Sequence, residues 1–125
     1  HVLGSPGERI LMHISNFRRV KRIPDVIKIF HRVQLELPAR LVLVGDGPER
    51  QAAEELAQRL GISDRVVILG KIESVAELLA SADLFLLPSE QESFGLVALE
   101  AQASGVPVIG TTQTGLAEVV EEIPR

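Results

Sequence analysis

The stretch that indicates the fold is "ARLVLVGDGPERQAAEELAQRLG" (39–61), in which an apolar run is followed by a turn and a helical pattern. Residues 39–45 have the length and composition of a buried strand. In the helical part, Asp46 is the predicted N-cap, Pro48 fits the first turn, and Gly61 is a stop signal. The stretch therefore predicts a strand, a tight turn and a helix in succession.

Further apolar runs of strand length occur along the chain, with helical patterns between them. The runs are "RILMHIS" (9–15), "RVVILG" (65–70), "ADLFLLP" (82–88) and "VPVIG" (106–110). Helices are predicted over 24–36, 48–60, 74–81, 94–104 and 115–122. This alternation predicts an α/β fold of βαβ units around a parallel sheet of about five strands, buried on both faces. At 125 residues the chain is long enough for one domain with one core.

Composition excludes several kinds of site. The chain has no cysteine, and His1, His13 and His31 have no metal-ligand spacing, so no metal site is expected. The net charge of −4 and the lack of Tyr and Trp argue against a nucleic-acid partner. The sequence contains neither a membrane span nor a secretory signal, so the cytoplasm is the expected location. Both ends look cut, which suggests part of a longer protein.

Ligands of open α/β sheets bind outside the carboxyl ends of the strands. At the end of the fourth run, "PSEQESFGLVALE" (88–100) places the amides of Phe94, Gly95 and Leu96 at a helix N-terminus, where they suit a phosphate. Glu100 lies in the otherwise apolar helix, where a carboxylate could accept from both hydroxyls of a ribose, and Glu92 precedes that helix and could accept from a sugar hydroxyl. Alternatively, Glu92 only complements the helix dipole and Glu100 lies on an exposed stripe.

Two further loops at this edge carry candidate residues. In "SNFRRVKR" (15–22), Arg18 and Lys21 could balance a diphosphate, although a solvated basic start of the next helix is the alternative. In "VGDGP" (44–48), Gly45 could let the backbone approach a flat base, although any short turn could use these residues.

These motifs together resemble the C-terminal, donor-binding half of the retaining glycosyltransferases of family 4. Those enzymes have the GT-B architecture of two Rossmann domains. The pattern of two glutamates separated by seven residues, "ESFGLVALE" (92–100), is highly characteristic, and "EAQASGVPVIGT" (100–111) follows it. The blocks "LVLVGDGPER" (41–50), "VVILGKI" (66–72) and "LLASADLFLLPSEQESFG" (78–95) match in order, so the resemblance covers nearly the whole chain.

The resemblance implies a role for each candidate residue. Glu100 would hold the donor ribose and Glu92 the donor sugar. The amides of Phe94, Gly95 and Leu96 would bind the diphosphate together with Lys21 and Arg18. The uracil would lie against backbone near Gly45, Lys71 and Ile72. Glu92, Lys21 and Arg18 would be the catalytic residues. Ser15 and Asn16 stand where many relatives carry Gly-Arg, a departure shared with the branch that glucosaminylates L-malate for bacillithiol biosynthesis, and Asn16 is counted among the donor-binding residues.

The resemblance also implies the organisation of the enzyme. Residues 1–125 would be the Rossmann-like nucleotide-sugar-binding domain, truncated at both ends, with UDP-N-acetylglucosamine as donor and no metal. The acceptor site would belong to a missing N-terminal Rossmann domain, so this fragment alone would transfer little. Homo-oligomerisation of the full-length protein stays open. Other GT-B members, such as sucrose, trehalose or glycogen-type synthases, are an alternative, as is a non-catalytic binding module of receiver type.

Overall fold

The computed structural model describes residues 7–14, 23–72, 76–86 and 103–109. Within them the strands are Arg9–Ile14 (β1), Ala39–Val44 (β2), Val66–Leu69 (β3), Leu84–Leu86 (β4) and Val108–Ile109 (β5). The helices are Ile23–Glu36 (α1), Arg50–Arg59 (α2) and Ala76–Ala80 (α3), and a 3₁₀ turn, Ser63–Arg65, precedes β3. Each predicted strand is therefore present within the described residues.

The described strands form one parallel sheet in the order β3-β2-β1-β4-β5. β1 is central and pairs with β2 over its whole length, from Arg9 opposite Ala39 to Ile14 opposite Val44. The chain proceeds outward from β1 to β3 in one direction and from β4 to β5 in the other. The reversal lies between β1 and β4, which is where open sheets of this kind form a ligand crevice. The predicted α/β fold is confirmed.

Both faces of the sheet are buried, which explains why the strands are almost continuously apolar. Alternate residues of β1 enter different clusters, because successive side chains of a strand point to opposite faces. One cluster joins Leu11 to Phe30 of α1 and Leu56 of α2. The other joins Met12 to Leu79 of α3.

The start of α2 corrects one prediction. Asp46 does not cap the helix, which begins at Arg50 instead of 48. A turn closed by the Arg50 N–H on the Gly47 carbonyl, at 3.1 Å, comes first. Asp46 Oδ1 accepts from the Gly47 N–H at 2.9 Å and so supports that turn. The predicted stop at Gly61 is confirmed by its φ of +75° and by the bond from its N–H to Gln58 O at 3.1 Å.

The predicted helix 24–36 is confirmed as α1, and the described part of the predicted helix 74–81 contains α3, while the two remaining predicted helices fall largely where the structure is not described. The predicted helix 94–104 lies outside the described residues as far as 102, and Ala103 is helical. The predicted helix 115–122 lies outside them entirely. Among the helices that are described, none combines the length and the apolar character that crossing a membrane requires.

One carboxylate joins the amino ends of three strands. Glu8, just before β1, accepts from Arg40 Nε of β2 and from Arg65 Nη1 before β3, each at 3.3 Å. The Glu8 side chain is only 10 % exposed, so these contacts are less screened by water than surface ion pairs. Arg65 also approaches the Ala39 carbonyl at 3.5 Å. This network stabilises the edge of the sheet opposite to the predicted site.

Candidate functional site at the carboxyl edge of the sheet

The sheet brings the predicted binding segments to one edge. All described strand pairs are parallel, so β1, β2, β3 and β4 end on the same side, at Ile14, Val44, Leu69 and Leu86. The predicted segments around 15–22, 45–48, 70–72 and 87–96 follow these ends directly in the sequence. The carboxyl edge is therefore the candidate site.

Gly45 joins the ends of β2 and β3. Its N–H donates to the Leu69 carbonyl at 3.0 Å, and the residue is buried. Its φ of +132° is a conformation that residues with a Cβ rarely adopt, so the turn requires glycine. Two of the residues predicted to bind with it, Lys71 and Ile72, come just after Leu69, and both are exposed. The structure thus places the three predicted base-binding residues at neighbouring strand ends.

His13 joins the ends of β1 and β4. The side chain is 1 % exposed, and Nδ1 lies 2.9 Å from the Leu86 carbonyl oxygen. Because a carbonyl oxygen can only accept, Nδ1 must carry the hydrogen and donate it. The ring also lies near that of Phe85, with centroids 6.3 Å apart. From the sequence, this histidine was excluded as a metal ligand and given no other role, although a histidine inside the apolar run "RILMHIS" was a signal of one.

Asp83 forms the corresponding contact at the opposite end of the same strand pair. Its Oδ2 accepts from the Ile10 N–H at 2.7 Å, and its own N–H donates to the Ile10 carbonyl at 2.8 Å. Between Asp83 and His13 the backbone register is short, with Leu11 opposite Leu84 and Met12 opposite Phe85. Side chains therefore reinforce both ends of the pairing at which the strand order reverses.

The remaining predicted site residues lie outside the described part of the chain, and their roles stay predictions. They are Asn16, Arg18, Lys21, Glu92, Phe94, Gly95, Leu96 and Glu100.

A groove of about 460 Å³ lies between α2 and β3. Its walls include Arg50 and Glu54 of α2 and Val66 and Ile68 of β3. It runs beside the strand that ends the described sheet on this side, and of the predicted site residues the three that the structure describes, Gly45, Lys71 and Ile72, do not line it. The groove gives no reason to move the candidate site from the carboxyl edge.

Comparison with known sequences identifies a family and a similar enzyme. The family model described as "Glycosyl transferases group 1" matches residues 2–123. N-acetyl-alpha-D-glucosaminyl L-malate synthase from Bacillus anthracis is 56 % identical over 117 residues, which are 94 % of this chain and 31 % of that enzyme. The chain therefore spans about a third of the length of this relative.

Solved structures agree with the fold. WaaG, a glycosyltransferase involved in lipopolysaccharide biosynthesis, is 30 % identical with a TM-score of 0.76, over 94 % of this chain and 32 % of that one. The pneumococcal O-GlcNAc transferase GtfA, solved with UDP and GlcNAc, is 26 % identical with a TM-score of 0.77, over 85 % of this chain and 22 % of that one. These neighbours are GT-B glycosyltransferases. With the family model matching nearly every residue, the chain belongs to the group 1 family of glycosyl transferases.

Proposed function

We propose that this chain is the donor-binding domain of a retaining glycosyltransferase that transfers N-acetylglucosamine from its UDP derivative to L-malate. The geometric observation that carries the proposal is the glycine turn after β2, held against the end of β3 at the carboxyl edge of a parallel sheet. The choice of donor sugar and acceptor is supported by the 56 % identity to the malate synthase.

The base end of the site is proposed at the β2–β3 side. The buried Gly45 lets the backbone approach a flat uracil without a side chain in between. Ile72, which is 37 % exposed, offers apolar surface that a base could cover, and Lys71 beside it contributes backbone. Recognition by backbone groups and one apolar side chain suits a planar ring with polar edges.

The diphosphate end is proposed at the β1–β4 side, where the two halves of the sheet meet. Lys21 and Arg18 would supply positive charge, and Asn16 would supply a further polar contact. The amides of residues 94–96 at a helix N-terminus would bind the remaining phosphate oxygens. The base and diphosphate ends would then be separated along the carboxyl edge by about two strand spacings, near 10 Å.

The two glutamates complete the proposed donor site. Glu100 would accept hydrogen bonds from the ribose hydroxyls, because an ionised carboxylate accepts from two donors at once. Glu92 would accept from a hydroxyl of the transferred sugar. Catalysis would consist mainly of holding the donor in place and stabilising the departing diphosphate by cations and amides, with attack on the same face that the diphosphate leaves. This scheme needs no divalent metal.

The acceptor part of the proposal concerns the longer enzyme. The chain covers 31 % of the malate synthase, and we assign acceptor binding to a second Rossmann domain that precedes this one. The donor is a nucleotide sugar, a metabolite of the cytoplasm, and the proposal places the enzyme there.

Donor binding is tested by calorimetric titration of the chain with UDP, with and without EDTA. We expect binding in both conditions, weaker at higher salt because charge contacts to the diphosphate are screened. ADP serves as the control for the base, and uridine as the control for the diphosphate. Lack of UDP binding would overturn the proposed donor, and a strict requirement for magnesium or manganese would overturn metal independence.

Acceptor choice is tested with the longer enzyme that carries this chain. Release of UDP from UDP-N-acetylglucosamine is measured with L-malate and, separately, with sugar acceptors such as glucose and fructose 6-phosphate. We expect turnover with malate. Turnover with a sugar acceptor alone would instead favour a synthase of the sucrose or trehalose type.

A further inference from the structure

We propose that His13 is a positioning residue, which holds the two diphosphate-binding segments of the donor site in place through its hydrogen bond to the Leu86 carbonyl. The inference rests on the proposed function, because it concerns how that site is assembled. Its basis is the contact of 2.9 Å between Nδ1 of a buried histidine and the last residue of β4.

The contact lies where both segments leave the sheet. His13 is the penultimate residue of β1, and the basic segment 15–22 begins two residues later. Leu86 ends β4, and the segment that leads to the predicted helix N-terminus begins at the next residue. Consecutive Cα atoms are only about 3.8 Å apart, so a fixed distance between these two strand ends constrains where both segments start.

Packing alone does not account for a histidine at this position. Ile10, Leu11 and Met12 of the same strand are fully buried, and His13 is 1 % exposed. Burying an imidazole is unfavourable unless its polar atoms are hydrogen-bonded, whereas an apolar side chain would fill the space without that cost. The hydrogen bond to Leu86 across the strands is a contact that an apolar side chain could not make.

The expected effect is confined to one end of the donor. The proposed base end depends on Gly45, whose N–H is bonded to Leu69 between β2 and β3. The His13 contact is between β1 and β4 instead. Loss of that contact should therefore lower the affinity for UDP, which carries the diphosphate, and leave the affinity for uridine unchanged.

Asp83 provides a matched control. Its bond to the Ile10 N–H joins the same two strands, but at the amino end of the pairing. Asp83→Ala removes a contact between β1 and β4 without touching the carboxyl edge. It should lower stability while the ratio of UDP to uridine affinity stays at the parent value.

The experiment compares UDP and uridine affinities by calorimetry for the parent chain, His13→Leu, His13→Asn and Asp83→Ala, at a temperature where circular dichroism shows each to be folded. His13→Leu removes the hydrogen-bond donor Nδ1. It should lower the affinity for UDP about threefold to tenfold, which is the equivalent of one net hydrogen bond. His13→Asn should restore UDP affinity, because its amide N–H lies near the position of Nδ1. Should His13→Leu not fold, His13→Gln replaces it, since its amide reaches the position of Nε2 instead.

Each outcome decides between the inference and its alternatives. Three outcomes would show that His13 acts only through general stability. They are equal losses of affinity for UDP and uridine in His13→Leu, no recovery of UDP affinity in His13→Asn, and the same change in the ratio of the two affinities in Asp83→Ala. Unchanged UDP affinity in His13→Leu would overturn the inference and leave the proposed function standing. A parent chain that binds no UDP would overturn both.

Discussion

Replacing Gly45 by alanine tests the turn that carries the proposed base site. Gly45 has a φ of +132°, outside both the right-handed and left-handed helical regions that residues with a Cβ can use. Holding alanine there costs on the order of 1–3 kcal/mol. For a chain of this length the melting temperature should fall by about 3–10 °C.

Gly61→Ala is the matched control for backbone strain. Gly61 has a φ of +75°, close to the left-handed helical region, and a Cβ there would meet no atom within 4 Å. The change should therefore lower the free energy of unfolding by only about 1–2 kcal/mol. Part of this loss is offset because alanine lowers the conformational entropy of the unfolded chain. Gly61 follows α2 and precedes β3, so it lies away from the carboxyl edge.

The assay measures a melting curve and a uridine titration on both variants. We expect Gly45→Ala to be the less stable variant and to bind uridine roughly tenfold more weakly, the equivalent of about one hydrogen bond to the base. Gly61→Ala should bind uridine like the parent. Loss of stability in Gly45→Ala with unchanged uridine affinity would refute the placement of the base, and a Gly45→Ala variant as stable as the parent would refute the argument from strain.

Three further predictions concern the diphosphate, the ribose and the opposite edge of the sheet. Lys21→Ala should lower the affinity for UDP on the order of tenfold and the affinity for uridine only a little, because a charged hydrogen bond is worth roughly 1.5–3 kcal/mol. Equal losses of affinity for the two ligands in titrations would contradict a phosphate contact. Glu100→Gln should weaken UDP more than 2′,3′-dideoxy-UDP in parallel titrations, while the melting temperature stays the same or rises; equal affinity changes would contradict a ribose contact. Glu8→Gln should lower the free energy of unfolding, measured by denaturant titration, by about 1–2 kcal/mol; the range is low because the Arg65 side chain is 41 % exposed. UDP binding should stay unchanged, and weaker UDP binding would contradict a purely structural role.

The strands were predictable from sequence because their cause is local. A parallel strand covered on both faces is a continuous apolar run, and each run was found within a few residues of its ends. The start of α2 was not predicted correctly, because a turn closed by the Arg50 N–H competes with capping by Asp46. The strand order depends on pairing between distant segments, such as β1 with β4, which no local pattern encodes.

The site was predictable to a different degree at its two ends. Gly45 was found from its turn sequence, and the structure explains it by a positive φ. The contact of His13 with Leu86 joins residues 73 positions apart, so its partner could not be read from the sequence. The roles of Lys71 and Ile72 came from family resemblance, and the structure adds only that both are exposed at the expected strand end. The alternative of a receiver-type module is wrong, because the family model of group 1 glycosyl transferases matches residues 2–123.

The described residues at the two edges of the sheet make different polar contacts. At the amino edge, charged side chains bond to one another and to backbone, as Glu8 does with Arg40 and Asp83 with Ile10. Among the described residues of the carboxyl edge, the Gly45 amide and His13 make contacts between strand ends. Arg40 and Gly45 are five residues apart along β2 and the turn after it, or roughly 17 Å at 3.3 Å per residue, so they lie too far apart to share partners. Substitutions at the two edges should act independently, so the amino-edge variants Glu8→Gln and Asp83→Ala show how far a loss of stability alone changes UDP affinity.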